Sequence, residues 1–172
     1  MNTAQESPRV SVVMSVYNGT RYLSEAMNSI LGQTLSDFEF IIINDGSTDS
    51  TRDIIVSHDD PRIRLIDNES NQGLPISLNK GIHTARGAYI ARQDADDISL
   101  LERLEKQSVF LDEHGSVSVL GCWWTYLDID GDTFSSGKIP NNDRIIQENL
   151  IRRNVKFPHG SLMFRRKGPG QR

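Results

Sequence analysis

Four short runs rich in β-branched residues, at 10–16, 38–44, 63–66 and 88–92, alternate with stretches whose apolar residues recur at helical spacing. No other feature restricts the fold as much. After Val10-Ser11-Val12-Val13-Met14-Ser15-Val16, the turn Tyr17-Asn18-Gly19 leads into a stripe of Tyr22, Leu23, Ala26, Met27, Ile30 and Leu31 that ends at Gly32. The run 38–44 is broken by Asp45-Gly46-Ser47-Thr48-Asp49, turn and N-cap residues that open a helix over 52–57. A third strand at 63–66, a helix over 75–86 and a fourth strand at 88–92 complete the series. Strands alternating with helices in this way predict an α/β fold, a mostly parallel sheet flanked by helices. Ligands of such sheets collect beyond the carboxyl ends of the strands, where Asn18, Asp45 and residues 94–97 fall.

The fourth strand delivers Ala91-Arg92-Gln93-Asp94-Ala95-Asp96-Asp97-Ile98, with three carboxylates in four positions. Their mutual repulsion is costly unless a positive group sits among them. A divalent cation answers that need, and oxygen-only ligands suit Mg²⁺ or Mn²⁺, which take one or two carboxylates and complete their shell with water and phosphate oxygens. A metal-diphosphate site is one reading. The other is an acidic loop that favours the positive end of the following helix.

The second half has a different texture. An amphipathic helix over 99–114 is followed by the apolar run 117–121, an aromatic segment with Trp123, Trp124 and Tyr126, and a hairpin turn signal at Asp130-Gly131. Because neighbouring strand residues face opposite sides, at least one of these aromatics is expected in the core. A helix over 143–152 and a strand over 161–164 precede a basic ending, so an antiparallel extension of the sheet is expected. Asp128, Asp130 and Asp132 do not form a calcium loop, since Thr133 stands where glycine is needed.

The 172 residues fit one domain, and a net charge of -4 gives no reason to expect nucleic-acid binding. Cys122 is the single cysteine, and neither a secretory leader nor an apolar run of about eighteen residues is visible, which predicts a cytoplasmic chain.

Taken in order, Val16-Tyr17-Asn18-Gly19, Ile43-Asn44-Asp45-Gly46-Ser47-Thr48-Asp49, Asn71-Gln72-Gly73-Leu74, Leu78-Asn79-Lys80-Gly81-Ile82, Ala85-Arg86-Gly87 and Asp94-Ala95-Asp96-Asp97 resemble the family 2 glycosyltransferases of the GT-A fold. The resemblance runs from about Val10 to Arg166 and implies a Rossmann-like GT-A domain with a donor half (1–98), an acceptor-side half (99–166) and a flexible tail (167–172). It implies transfer of a sugar from a nucleoside diphosphate sugar, UDP-linked, to a saccharide or lipid-linked acceptor, with inversion, in the cytoplasm or peripherally at the inner face of the cell membrane.

Ser15, Tyr17, Asn18, Asp45, Asn79, Arg86, Asp94 and Ala95 are then the nucleotide-sugar residues, with Asp45 accepting the N3 hydrogen of uracil. Asp96, with Asp94, is the implied ligand of Mn²⁺ or Mg²⁺, and Asp97 orients water or caps the next helix. Arg103 matches a basic residue of the family, although Leu101 replaces the usual proline two positions earlier. His159-Gly160-Ser161 matches a segment near the acceptor, where His159 is either a catalytic group or a loop packing residue. The general base of inverting members is an acidic residue downstream of that segment. No residue after Phe164 is acidic, so the base is expected outside this chain, in a longer enzyme of which this is the donor-binding part.

Overall fold

The computed structural model describes residues 7–138, 142–151 and 158–166. Strands β1 (Val10–Val16), β2 (Phe38–Asn44), β3 (Ile63–Asp67) and β4 (Tyr89–Gln93) alternate with helices α1 (Leu23–Leu31), α2 (Thr51–Ser57) and α3 (Leu74–Thr84). Then follow α4 (Arg103–Glu113), the short strand β5 (Val119–Leu120), the hairpin β6 (Trp124–Leu127) and β7 (Thr133–Gly137), α5 (Asp143–Ile151), a 3₁₀ turn (His159–Ser161) and β8 (Met163–Arg165). The main sheet has the order β3-β2-β1-β4-β8-β5. Its first four strands are parallel, and β8 runs antiparallel to both β4 and β5. The mostly parallel sheet with an antiparallel extension is therefore present, and β6 and β7 form a separate two-stranded sheet.

All seven residues of β1 and of β2 are buried, because both faces of the sheet are covered. Val12, Met14, Phe40 and Ile42 pack with Leu23, Met27 and Ile30 of α1 and Leu104 and Leu111 of α4. On the opposite face Val13, Ile41 and Ile43 pack with Ile90, Leu78 and Ile82. There α3 lies directly on the sheet: a Cβ on Gly81 would fall 2.6 Å from both Val13 and Ile43. Among the described residues, no helix is long and apolar enough to cross a membrane.

Two expectations change. The helix after the acidic loop starts at Arg103, leaving Leu100 and Leu101 in the preceding turn at 82% and 60% exposure. Neither Trp123 nor Trp124 enters the core clusters. Trp123 is exposed beneath the Lys138 ammonium, and Trp124 meets Tyr126 edge-on at 6.4 Å within its own hairpin. A two-stranded ribbon set apart from the sheet gives its aromatics no second layer to pack into.

Candidate functional site

The acidic loop takes its shape from the residue before it. Gln93 is buried, and its amide nitrogen donates to the carbonyls of Asp94 (3.1 Å) and Asp97 (2.7 Å). Its amide oxygen accepts from the Ser99 hydroxyl (2.7 Å) and from Arg103 (2.8 Å). Arg103 also donates to Ser99, to Gln107 and to the carbonyl of Arg92. Burial pulls the Arg103 pKa down, yet acceptors surround its guanidinium, which clamps α4 to the end of β4. Asp97 does not cap α4, whose N-cap is Glu102, five residues further on.

Within that frame Asp94 is one-quarter exposed, while Asp96 and Asp97 are open to solvent. Asp94 lies 2.5 Å from the Arg92 guanidinium, and its other oxygen stands 3.6 Å from His159 Nδ1. Gly160 backs onto the cluster so closely that a Cβ there would fall 2.6 Å from Asp94 Oδ2 and 2.7 Å from Asp97 Oδ2. Packing on this inner side, then the charges of Asp94 and Asp96, push the Asp97 pKa up, and the charges of Arg92 and Arg103 temper the effect. The positive group required among three carboxylates is thus partly supplied by the chain itself, through Arg92. Its guanidinium is buried, and apart from this contact with Asp94 it finds no acceptor among the described residues.

The neighbouring wall is built from three loops. Asp45, at the end of β2, is 2% exposed and accepts from Asn68 Nδ2 (2.8 Å), Gln72 N (2.9 Å) and Gly73 N (2.9 Å). The Ser77 hydroxyl adds a further bond, and together these outweigh burial and hold the Asp45 pKa below its usual value. Through these bonds Asp45 anchors the 71–73 loop. Gly46, at φ +71°, lets this turn touch the backbone of Ser70 and Asn71.

Ser15 is buried at the end of β1, and Tyr17 beyond it is half exposed. Asn18 adopts φ +51°; its side-chain oxygen accepts from Thr48 N (2.9 Å) and its own N–H donates to Ser47 Oγ (3.1 Å), so the first two strand-end loops are tied together. Ala95 is half-buried within the acidic loop and packs against the core.

Two expected donor residues are not brought here. Asn79 is exposed on α3, two positions from the sheet-facing Ser77 and Gly81 and hence on the opposite side of the helix. Arg86 follows α3 and lies at the amino ends of the strands, where its N–H and guanidinium both bond Glu39. Sequence reading in turn gave no role to Arg92, Gln93, Asn68 or Gly160. A charged residue followed by an amide in an otherwise apolar strand was the available signal for the first two.

Among the described residues, no three His, Cys, Asp or Glu side chains converge as a closed metal cage. The donor set still fits a hard cation that takes one or two carboxylates and fills its shell from water and a ligand's phosphates. With Asp94 partly neutralised by Arg92, Asp96 is the carboxylate most free to bind it.

The model of glycosyl transferase family 2 matches residues 11–169. The chain is 38% identical over 161 residues to EpsE of Bacillus subtilis, named as a glycosyltransferase, covering 92% of this chain and 56% of that protein. It is 35% identical over 163 residues to glycosyltransferase GlyG of Streptococcus pneumoniae, covering 92% and 52%. The chain thus spans about half the length of these curated relatives. Among solved structures it is similar to S. aureus TarS 1–349 in complex with UDP, with a TM-score of 0.63 and 27% identity over 74% of this chain and 38% of that one.

Proposed function

The chain belongs to glycosyl transferase family 2, and on that premise we propose that it binds a nucleoside diphosphate sugar, UDP-linked, and serves transfer of the sugar with inversion to a saccharide or lipid-linked acceptor. The observation that carries this reading is the acidic loop at the carboxyl end of β4, held rigid by Gln93 and Arg103. The similarity to a UDP-bound structure supports the choice of nucleotide.

Asp96, with Asp94, would hold Mn²⁺ or Mg²⁺, which supplies charge neutralisation to a departing nucleoside diphosphate. The chain's own residues supply the rest of the donor site. Ser15, Tyr17 and Asn18 line the end of β1, and Asp45 fixes the 71–73 loop as the facing wall. Arg92 orients Asp94, and Gly160 leaves room against the carboxylates that any side chain would take up. His159, largely exposed beside Asp94, borders the side from which the acceptor approaches.

The test is thermal stability with UDP and Mn²⁺. Ligand at about 100 times its Kd stabilises by about 2.7 kcal/mol, which raises Tm by about 5–10 °C in a chain of this size. Asp96→Ala is expected to lose the metal-dependent part of that rise. Release of UDP from UDP-sugars only when an acceptor is present marks transfer; binding without release marks a donor-binding domain that does not turn over. Failure of UDP to stabilise the protein with metal present refutes the reading.

A further inference from the structure

Arg92 and Arg103 are each more than nine-tenths buried, and they lie on opposite faces of β4. Arg103 donates to Gln93, Ser99, Gln107 and the Arg92 carbonyl, which accounts for a buried guanidinium. Arg92 has nothing comparable. It pairs with Val13 in the register of β1 and β4, and by strand alternation it shares a face with Ile90, the face that α3 covers. The next position on that face is Asp94, whose carboxylate touches one edge of the guanidinium.

A guanidinium carries five N–H donors, and a contact with one carboxylate engages at most two of them. The rest have no acceptor among the described residues, although buried donors are rarely left so. The other arginines near the sheet do not share this condition: Arg64, Arg86 and Arg165 all find carboxylate or carbonyl acceptors. The unmet donors therefore mark the acidic loop in particular. A phosphate group suits them, because it offers several charged acceptor oxygens in the planar fork geometry that a guanidinium matches. It also needs a cation there, since Asp94, Asp96 and Asp97 would otherwise repel it.

We propose that Arg92 is a binding residue for the donor's diphosphate, engaging a phosphate oxygen beside Asp94 independently of any metal. The proposal rests on reading the site as one for a nucleoside diphosphate sugar. Asp94 on this account covers the guanidinium when no donor is bound, and its side chain turns aside to let a phosphate oxygen take its place on the fork.

The experiment measures affinities for UDP and for uridine by calorimetry, in EDTA and again in Mn²⁺, for the wild type, Arg92→Met and Arg92→Lys. Arg92→Met is expected to weaken UDP by about tenfold or more in EDTA while leaving uridine unchanged. Its Tm should fall below that of the wild type, because Asp94 loses the guanidinium beside it, and unchanged uridine affinity shows that the nucleoside pocket has kept its shape. Arg92→Lys keeps the charge without the fork and should bind UDP with intermediate affinity; it decides the matter if the methionine variant does not fold. Wild-type UDP affinity in both variants overturns the proposal, as does an equal loss for UDP and uridine, which assigns Arg92 to the shape of the nucleoside pocket. Absence of UDP binding by the wild type in Mn²⁺ instead overturns the underlying reading of the site.

Discussion

The two ends of the central sheet are made from similar parts put to opposite uses. At the amino end, Glu39 is buried and receives the Ser11 hydroxyl, Arg64, and both the N–H and the guanidinium of Arg86. Gly87 closes this end, since a Cβ there would fall 2.5 Å from Ser11 N. At the carboxyl end, three carboxylates gather near one buried arginine that Asp94 alone is seen to touch among the described residues, and two of the three face solvent. The first arrangement satisfies every partner and stabilises the fold. The second keeps charge and donors in reserve, as a site for a charged ligand must. The nature of the side chains alone does not separate the two; the completeness of their bonding does.

The contrast breaks most readily at Glu39. Glu39→Gln should destabilise the protein by about 3 kcal/mol, because it strips the charge from a buried pair and leaves two guanidinium groups without their carboxylate; urea unfolding measures this. Burial alone would raise the Glu39 pKa, but the bonds from Ser11, Arg86 and Arg64 outweigh it and lower the value below 4.5. A lowered carboxylate pKa stabilises the fold above the unfolded value and ceases to do so as pH falls through the folded one. The gap between wild type and variant should therefore be full at neutral pH and shrink in acid below 4.5. A constant gap across that range would assign it to packing.

Asp45 lies between the two extremes. Asp45→Ala leaves the N–H groups of Gln72 and Gly73 without acceptors and should cost about 2 kcal/mol, with weaker UDP binding through the released 71–73 loop. Hydrogen exchange should show those two amides losing protection. Smallest in stability is Asp96→Ala, expected within about 0.5 kcal/mol of wild type because the side chain is exposed, even though it removes the metal-dependent response to UDP. A large loss of stability there would erase the distinction between the two ends.

The strand and helix order was legible in the sequence because both faces of β1 and β2 are covered and their apolar runs are unbroken. What was misplaced has definite causes. The face of α3 that touches the sheet is marked by Ser77 and Gly81, residues that hydrophobic periodicity does not count, so Asn79 was assigned to the site when it points away from it. Arg86 carried a usable signal. A helix between parallel strands returns the chain to their amino ends, so a residue after α3 and before β4 stands far from the strand-end loops. Asp45 was found by its position at a strand end, whereas its hold on the 71–73 loop depends on Asn68 and the loop backbone, which only the folded chain brings together.

Gln93 bears on the thermodynamics of what the acidic loop receives. Because one amide grips the carbonyls of Asp94 and Asp97 and is itself gripped by Ser99 and Arg103, the aspartates stand gathered before any ligand arrives. Their repulsion is thus met by the free energy of folding, and ligand capture has little backbone to order. The rate of capture should then follow diffusion and charge, with no slow loop rearrangement ahead of it.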